Sequence, residues 1–339
     1  MDKKNIEMSD QTFKAFYIEE KSDGTFASGV KEVPKSFLPE YEVLIRVHYS
    51  SLNYKDALSV SGNKGVTKSY PHIPGIDASG TVVEDASGKF ETGEKVIVTG
   101  HDLGSNTPGG FGQLIRVPAD WVVTLPNELD LKTSMKYGTA GFTAMYGVMR
   151  LQRELISPQD GKVLVTGATG GVGSLAVFFL SELGYDVIAA TGKMNKKNYL
   201  KELGAAEVID REIITNVNDG FLLSREWNGA IETVGSEMLD AVIRQTNPNG
   251  AVACCGNILG HELKTNIYPF ILRGVSLLGI DSAICKMPMR LKIWEQIAGM
   301  DHQRLLENFT KKVGLDDLDE EIQKILKGKQ TGRVLIIHE

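Results

Sequence analysis

The stretch Lys162–Gly173, KVLVTGATGGVG, decides how the rest of this chain is read. Val163, Leu164, Val165 and Thr166 are apolar or β-branched and predict a short buried strand. Gly167, Gly170, Gly171 and Gly173 follow, and then SLAVFFLSELG, a run of helix formers closed by Gly184. Strand, glycine turn and helix together are the setting in which a glycine-rich pattern binds a dinucleotide. The turn must reverse tightly, the backbone must approach a pyrophosphate, and the helix must pack close to the strand. The helix N-terminus then offers unpaired N–H groups and partial positive charge to the phosphates. The spacing is Gly-x-x-Gly-x-x-Gly, so the glycines alone also fit an ordinary loop of an α/β sheet. The strand before them, the helix after them and a second strand, YDVIAA, favour the nucleotide.

The composition sets the frame. A chain of 339 residues is long enough for two domains with separate cores. It is 42% hydrophobic and 24% charged, as in ordinary globular proteins. A net charge of −6 argues against a nucleic-acid partner. The first residues, MDKKNIEMSD, lack the apolar core of a signal peptide, and no run reaches the ~18 apolar residues that span a bilayer, so no membrane partner is expected. The cysteines, Cys254, Cys255 and Cys285, form neither Cys-x-x-Cys nor a disulfide framework. A reducing cytoplasm fits that usage. Cys254 and Cys255 read as buried thiols in a strand.

Residues 11–130 have β character. FKAFYIEE, YEVLIRVHYSSLN, DASGTVVEDA, EKVIVTG and FGQLIRVPADWVVTLP run or alternate apolar between Gly, Pro and Asp turns, and predict a barrel-like β domain. Leu131–Leu151 reads helical. From Lys162 strands alternate with helices: KVLVTG, DVIAAT, AAEVID, GAIETVG, AVACCG and VSLLGID. That alternation predicts a doubly wound parallel sheet. The tail breaks the rhythm, with helices over Met289–Met300 and Leu318–Leu326, the latter preceded by Asp316 and Asp317 as caps, and a last strand at Arg333–His338. Such a tail is able to pack back on the first domain.

The end of the second strand selects the cofactor. An NAD-specific fold places Asp or Glu there to hold the ribose 2′-hydroxyl. Here it reads Thr191-Gly192-Lys193, with Lys196 and Lys197 beyond. A carboxylate would repel a 2′-phosphate and Lys193 attracts it, so NADP(H) is favoured over NAD(H).

The segments SSLNYKDAL, PHIPGIDASGTV, YGTAGFTAM, VTGATGGVGS, YPFILRGVSLLGIDS and TGRVL together resemble the medium-chain dehydrogenase/reductase superfamily. Its closest branch in these residues is the zinc-free quinone oxidoreductases that include acrylyl-CoA reductase. The resemblance covers nearly the whole chain. It implies a GroES-like β-rich catalytic domain over 1–129, completed by 285–339, and a Rossmann domain over 130–284, with the active site in the cleft between them. The zinc alcohol dehydrogenases carry a catalytic Cys near Asn53–Asp56, a His-Glu pair where this chain has Ile76-Asp77, and often a four-cysteine lobe where it has GHDLGSNTPGGFG. Zinc needs three or four thiolate, imidazole or carboxylate ligands. With His48, His72 and His101 isolated in pattern, no metal is expected.

Without a Lewis acid, hydride transfer needs an acceptor activated by conjugation, such as an unsaturated thioester, enone or quinone. The polar run Ser51–Asp56 then offers candidates. Tyr54 is placed to contact the nicotinamide or donate a proton, Asn53 to hydrogen-bond substrate or cofactor, and Lys55 with Asp56 to form a local ion pair. Asp77 is a second acidic candidate near the cleft or a structural group. Thr169, Gly170, Gly171 and Val172 are expected to cradle the pyrophosphate, and Thr191, Gly192 and Lys193 to hold the 2′-phosphate. Thr233, Gly256, Thr139 and Arg333 complete the expected cofactor surroundings. Three readings follow: NADPH-dependent reduction of a short conjugated acyl-CoA, acrylyl-CoA first; reduction of quinones or enones; or an NADPH-binding protein with little turnover. Val275–Asp281, sixth in order, is expected at a sheet edge and carries no Pro or Lys to blunt it, which predicts a homodimer built on that strand.

Overall fold

The computed structural model describes residues 11–303 and 309–338. In chain order the strands are β1 (Thr12–Glu20), β2 (Phe26–Pro34), β3 (Val43–Ser51), β4 (Asp77–Asp85), β5 (Lys95–Thr99), β6 (Leu114–Val117) and β7 (Val123–Thr124). Next come β8 (Lys162–Val165), β9 (Asp186–Thr191), β10 (Glu207–Asp210), β11 (Trp227–Glu232), β12 (Thr246–Cys254) and β13 (Ser276–Gly279). The series ends with β14 (Thr310–Val313) and β15 (Arg333–Ile337). Contacts divide the chain into two compact units. One runs through Thr139 and takes in Ala283–Ala298 and the C-terminal segment; the other is built on Ala140–Ser282. The chain passes from one unit to the other at Thr139/Ala140, inside the helix Leu131–Arg153.

The second unit is a parallel six-stranded sheet in the order β10-β9-β8-β11-β12-β13. Its strands are short and apolar because helices cover them: Leu164, Ile188, Ala230 and Val252 pack with Met238, Val242 and Ile243 of the helix Ser236–Gln245. The chain starts at β8, winds outward to β10, then returns beside β8 at β11. Between β8 and β11 the winding reverses, and the strand ends there bound a crevice in this topology. β13 is the edge strand. Gly173 shows why the helix Gly171–Glu182 comes so near the turn: a Cβ there would collide with the carbonyl of Gly167 and reach Ala168 Cα at 2.8 Å.

The first unit is β-rich. Its sheet runs β14-β15-β3-β4-β5-β7, with β6 also on β3, and Val43, Ile45, Val47, Val96, Val98 and Ile115 fill its interior. A hairpin of β1 and β2 packs with Leu318 and Ile322 of the helix Leu318–Leu326. β2 has no counterpart in the sequence reading: only one of its residues is buried, so it carries no two-residue apolar period. The tail returns to this unit, and β15 pairs antiparallel with β3, Leu335 opposite Ser51. The Asp317 cap differs from expectation. Its carboxylate accepts the Gly314 N–H (3.2 Å) and makes no bond to the helix that follows.

Candidate active site and dinucleotide site

In the first unit, the polar run after β3 lies at the start of a short helix, Tyr54–Val60, with Asn53 as its N-cap. Asp56 reaches back to accept the Asn53 N–H at 2.7 Å, and its other oxygen accepts the Ile76 N–H at 2.8 Å. One carboxylate therefore ties the helix start to the approach of β4. It is fully buried, and burial together with the neighbouring charge of Asp77 pushes its pKa up to about 7. The expected Lys55–Asp56 ion pair is absent; Asp56 is spent on backbone donors that would otherwise go unpaired.

Asp77 opens β4 and gathers more. Ser51 Oγ donates to its Oδ2 at 2.6 Å and Asn53 Nδ2 at 2.8 Å. Thr139 supplies its N–H at 2.9 Å and its hydroxyl at 2.6 Å. Arg333, brought in by β15, donates to Ser51 Oγ (2.7 Å), Asn53 Oδ1 (3.1 Å) and the carbonyls of Leu52 and Lys136, with Asp77 Oδ2 3.7 Å away. Burial lowers the Arg333 pKa against the pull of Asp77 and Asp56. Asn53, Asp56, Asp77 and Arg333 are thus all buried and engaged with one another. Ser51, which opens the polar run but has no role assigned from the sequence, bridges Arg333 and Asp77. Gly138 lets the strand and helix meet here. Its φ of 51° kinks the helix, and a Cβ would strike Asp77 Oδ2 and Ser51 Oγ. Tyr54 differs from this group: it is half-buried, and its hydroxyl has no hydrogen-bond partner among the described residues.

In the second unit, Thr169–Val172, Thr191–Lys193, Thr233 and Gly256 lie at the C-terminal ends of β8, β9, β11 and β12. Tyr54, Thr139 and Arg333, also expected around the cofactor, belong to the first unit, where Thr139 and Arg333 are engaged with Asp77 and Ser51. The helix Gly171–Glu182 starts at Gly170 without a side-chain cap, which leaves its first N–H groups, including those of Gly171 and Val172, for an anion. Thr169 Oγ1 lies 3.2 Å from Thr191 Oγ1, and Thr191 Oγ1 accepts the Lys193 N–H at 3.0 Å. These hydroxyls are buried and fasten the turn after β9 to the glycine turn. Burial, then Lys196, lowers the Lys193 pKa, so two lysines crowd one spot. Arg211, which follows β10, was missed in the sequence. A Cβ at Gly192 would lie 3.0 Å from Arg211 Nε and 3.2 Å from Cζ, so the arginine lies across the Gly192 backbone. No charge pattern in the sequence relates positions 192 and 211; the pairing of β9 with β10 does. Thr233 Oγ1 donates to Thr166 O at 2.9 Å, and Gly256 is pressed against the Thr233 carbonyl. A Cβ would fill each of these approaches. The glycine cradle, open helix end and convergent cations fit a dinucleotide bearing an extra phosphate.

Cys254 and Cys255 are free and half-buried rather than buried, with burial pushing the Cys255 thiol up to about 12. His72 is buried, His48 lies 3.1 Å from Thr81 Oγ1, and His101 stacks on Trp121. Among the described residues no three His, Cys, Asp or Glu side chains gather as a metal-binding group, and no helix is long and apolar enough to cross a membrane.

Residues 39–127 match the alcohol dehydrogenase GroES-like domain, and residues 171–290 the family described as zinc-binding dehydrogenase. The chain is 42% identical to the quinone oxidoreductase YhfP of Bacillus subtilis (strain 168), covering 96% of this chain and 98% of that protein. It is 41% identical to the acrylyl-CoA reductase AcuI of Ruegeria pomeroyi, again over 96% and 98%. The crystal structure of YhfP with NAD bound superposes with a TM-score of 0.93, covering 97% of this chain and all (100%) of that one. The yhdH oxidoreductase of Salmonella enterica in complex with NADP, 40% identical, gives 0.91 over 96% and 100%.

Proposed function

Since this chain belongs to the medium-chain dehydrogenase/reductase superfamily, we propose that it is an NADPH-dependent reductase of a short α,β-unsaturated acyl-CoA, with acrylyl-CoA as the leading substrate. The observation that carries the cofactor choice is the end of β9, where Lys193 stands in place of a carboxylate and Arg211, from the end of β10, lies against Gly192. Its support outside the chain is mixed in an informative way: one relative at about the same distance was crystallised with NADP and another with NAD. Thr169–Val172 hold the pyrophosphate, Lys193 and Arg211 the 2′-phosphate, and Thr233 and Gly256 line the strand ends.

When bound, NADPH supplies the hydride that adds to the β-carbon of the acceptor. The rest falls to side chains. Negative charge collects on the thioester oxygen and a proton must reach the α-carbon. Tyr54 carries the one hydroxyl of the Ser51–Asp56 run outside the buried network, and it orients or protonates the reacting system. Asn53, Asp56, Asp77, Thr139 and Arg333 hold the stretch that presents it. The donor set favours a conjugated acceptor. The positions where zinc relatives carry ligands hold Asn53–Asp56 and Ile76-Asp77, and their carboxylates are already committed to N–H and O–H donors.

A second reading, reduction of quinones or small enones, is favoured by the 42% identity to YhfP, whose name carries that activity. Steady-state NADPH oxidation against acrylyl-CoA, crotonyl-CoA and a quinone panel decides. The acyl-CoA reading expects the highest kcat/KM with acrylyl-CoA. A quinone in that place supports the second reading, and NADPH binding without turnover of any of them overturns both.

A further inference from the structure

Glu232 lies at the end of β11, fully buried beneath the crevice between β8 and β11, and the sequence analysis assigns it no role. Its carboxylate collects donors from both sides of that crevice. From the β11 side, the Val234 N–H reaches Oε1 at 2.8 Å, and the Gly235 N–H is shared between Oε1 and Oε2 at 3.0 Å each. From the β8 side, the Thr166 hydroxyl donates to Oε1 at 3.1 Å. Thr166 Oγ1 in turn accepts the Thr233 N–H at 2.9 Å, and Thr166 O accepts the Thr233 hydroxyl at 2.9 Å. Thr166 immediately precedes Gly167 of the glycine turn, and Thr233–Gly235 is the turn after β11.

These bonds make one closed unit. A buried carboxylate is an acceptor only, so it can take several N–H and O–H donors that converge from one side. An amide presents two hydrogens of its own and would set one of them against the Gly235 N–H. Gly235 has a φ of 83° and starts the helix Ser236–Gln245, so its N–H has no helical partner to fall back on. Desolvation raises the Glu232 pKa, and Cys254, the last residue of β12, and Cys255 after it are the titratable groups that face it. Desolvation makes a buried carboxylate costly, but an apolar residue there would leave the Val234 and Gly235 N–H groups without their acceptor.

We infer that Glu232 is a positioning residue that locks the two strand ends on either side of the switch-point crevice, fixing Thr233 and the glycine turn in the geometry that receives the dinucleotide. The inference rests on the cofactor reading above. It assigns Glu232 no contact with the cofactor; it acts through Thr166, Thr233 and the backbone of Val234 and Gly235.

The experiment pairs ligand titration with amide exchange on the full chain. Glu232→Gln is expected to weaken NADPH binding, followed by its fluorescence, by about ten- to a hundredfold, the loss of hydrogen bonds to a charged group. In the protein without nucleotide, the Val234 and Gly235 amides are expected to exchange at least about tenfold faster than in the wild type, while amides in the centre of the sheet keep their protection. Thr166→Val removes only the bridging hydroxyl and is expected to move both readouts in the same direction. It decides the matter where Glu232→Gln does not fold. An affinity within about twofold of wild type in the folded variant, with exchange unchanged, overturns the inference. A wild type that binds neither NADPH nor NADH at millimolar concentration overturns the cofactor reading beneath it. That failure appears before any substitution is made, whereas failure of the lock appears only in the variants.

Discussion

Asp56 has both oxygens on backbone N–H groups, no cation paired to it, and Asp77 close enough to oppose its ionisation. Its pKa in the fold is about 7 against the ordinary 3.8. The folded state therefore favours the protonated form. The stability this contributes is complete below about pH 4 and is lost as pH rises to 7. A shift of that size is worth on the order of 4 kcal/mol at most. Asp56→Asn is neutral throughout and lacks this dependence. Compared by chemical unfolding, the wild type should gain stability relative to Asp56→Asn as pH falls from 8 to 4. Parallel stability curves would show that Asp56 is not the buried acid described here. The sequence marked Asp56 as polar and near Tyr54. Its neighbour in sequence, Lys55, suggested an ion pair. Only the fold shows that the carboxylate turns inward to Ile76, a residue with no local pattern to betray it.

At the scale of elements, the helix Leu131–Arg153 is the informative case. Its apolar pattern reads as one helix, and the residues that break it are invisible in that pattern. Gly138 takes φ 51° and ψ −153°, so the element is two helices joined at a kink. The kink turns the N–H and hydroxyl of Thr139 onto Asp77. Gly138→Ala would strain a positive φ and drive a methyl group into Asp77, Ser51 and, at 3.0 Å, Arg333 Nη2. We expect a loss of about 1–3 kcal/mol in unfolding free energy. An unfolding midpoint equal to wild type would mean that the close packing of Asp77 on this kink contributes nothing. β2 makes the same point from the other side. It exists because β1 offers it a ladder from Thr12–Pro34 to Glu20–Phe26, not because its own residues alternate.

For the whole molecule, the question is what covers β13. The strand is shorter than the sequence implied, Ser276–Gly279, and it stands at the edge of its sheet. Just before it, the helix Tyr268–Arg273 exposes Ile271 (63%) and Leu272 (62%), with Ile267 (62%) at its cap. An open edge flanked by exposed apolar side chains favours pairing with a second copy across a two-fold axis. We propose a homodimer on this edge. Light scattering at micromolar concentration should give about twice 37.1 kDa. Ile271→Asp, which alters an exposed side chain rather than the core, should shift the protein towards the monomer. A wild type monomeric at that concentration removes the proposal.

The sequence by itself determined the parallel sheet, its strand sequence, the nucleotide turn and the β-rich first unit. These depend on local signals: apolar period, glycine spacing and the alternation of strand with helix. It also named most of the residues that gather at the two candidate sites. What it left open was their roles, because a role depends on which distant groups arrive beside a side chain. β15 carries Arg333 to Ser51, β4 carries Asp77 to Thr139, and the pairing of β9 with β10 carries Arg211 to Gly192. Burial then decides the chemistry, since a carboxylate in water and one sealed against backbone N–H groups are different acids. Tertiary structure alone turned Asn53, Asp56, Asp77 and Arg333 into a closed network and left the Tyr54 hydroxyl outside it.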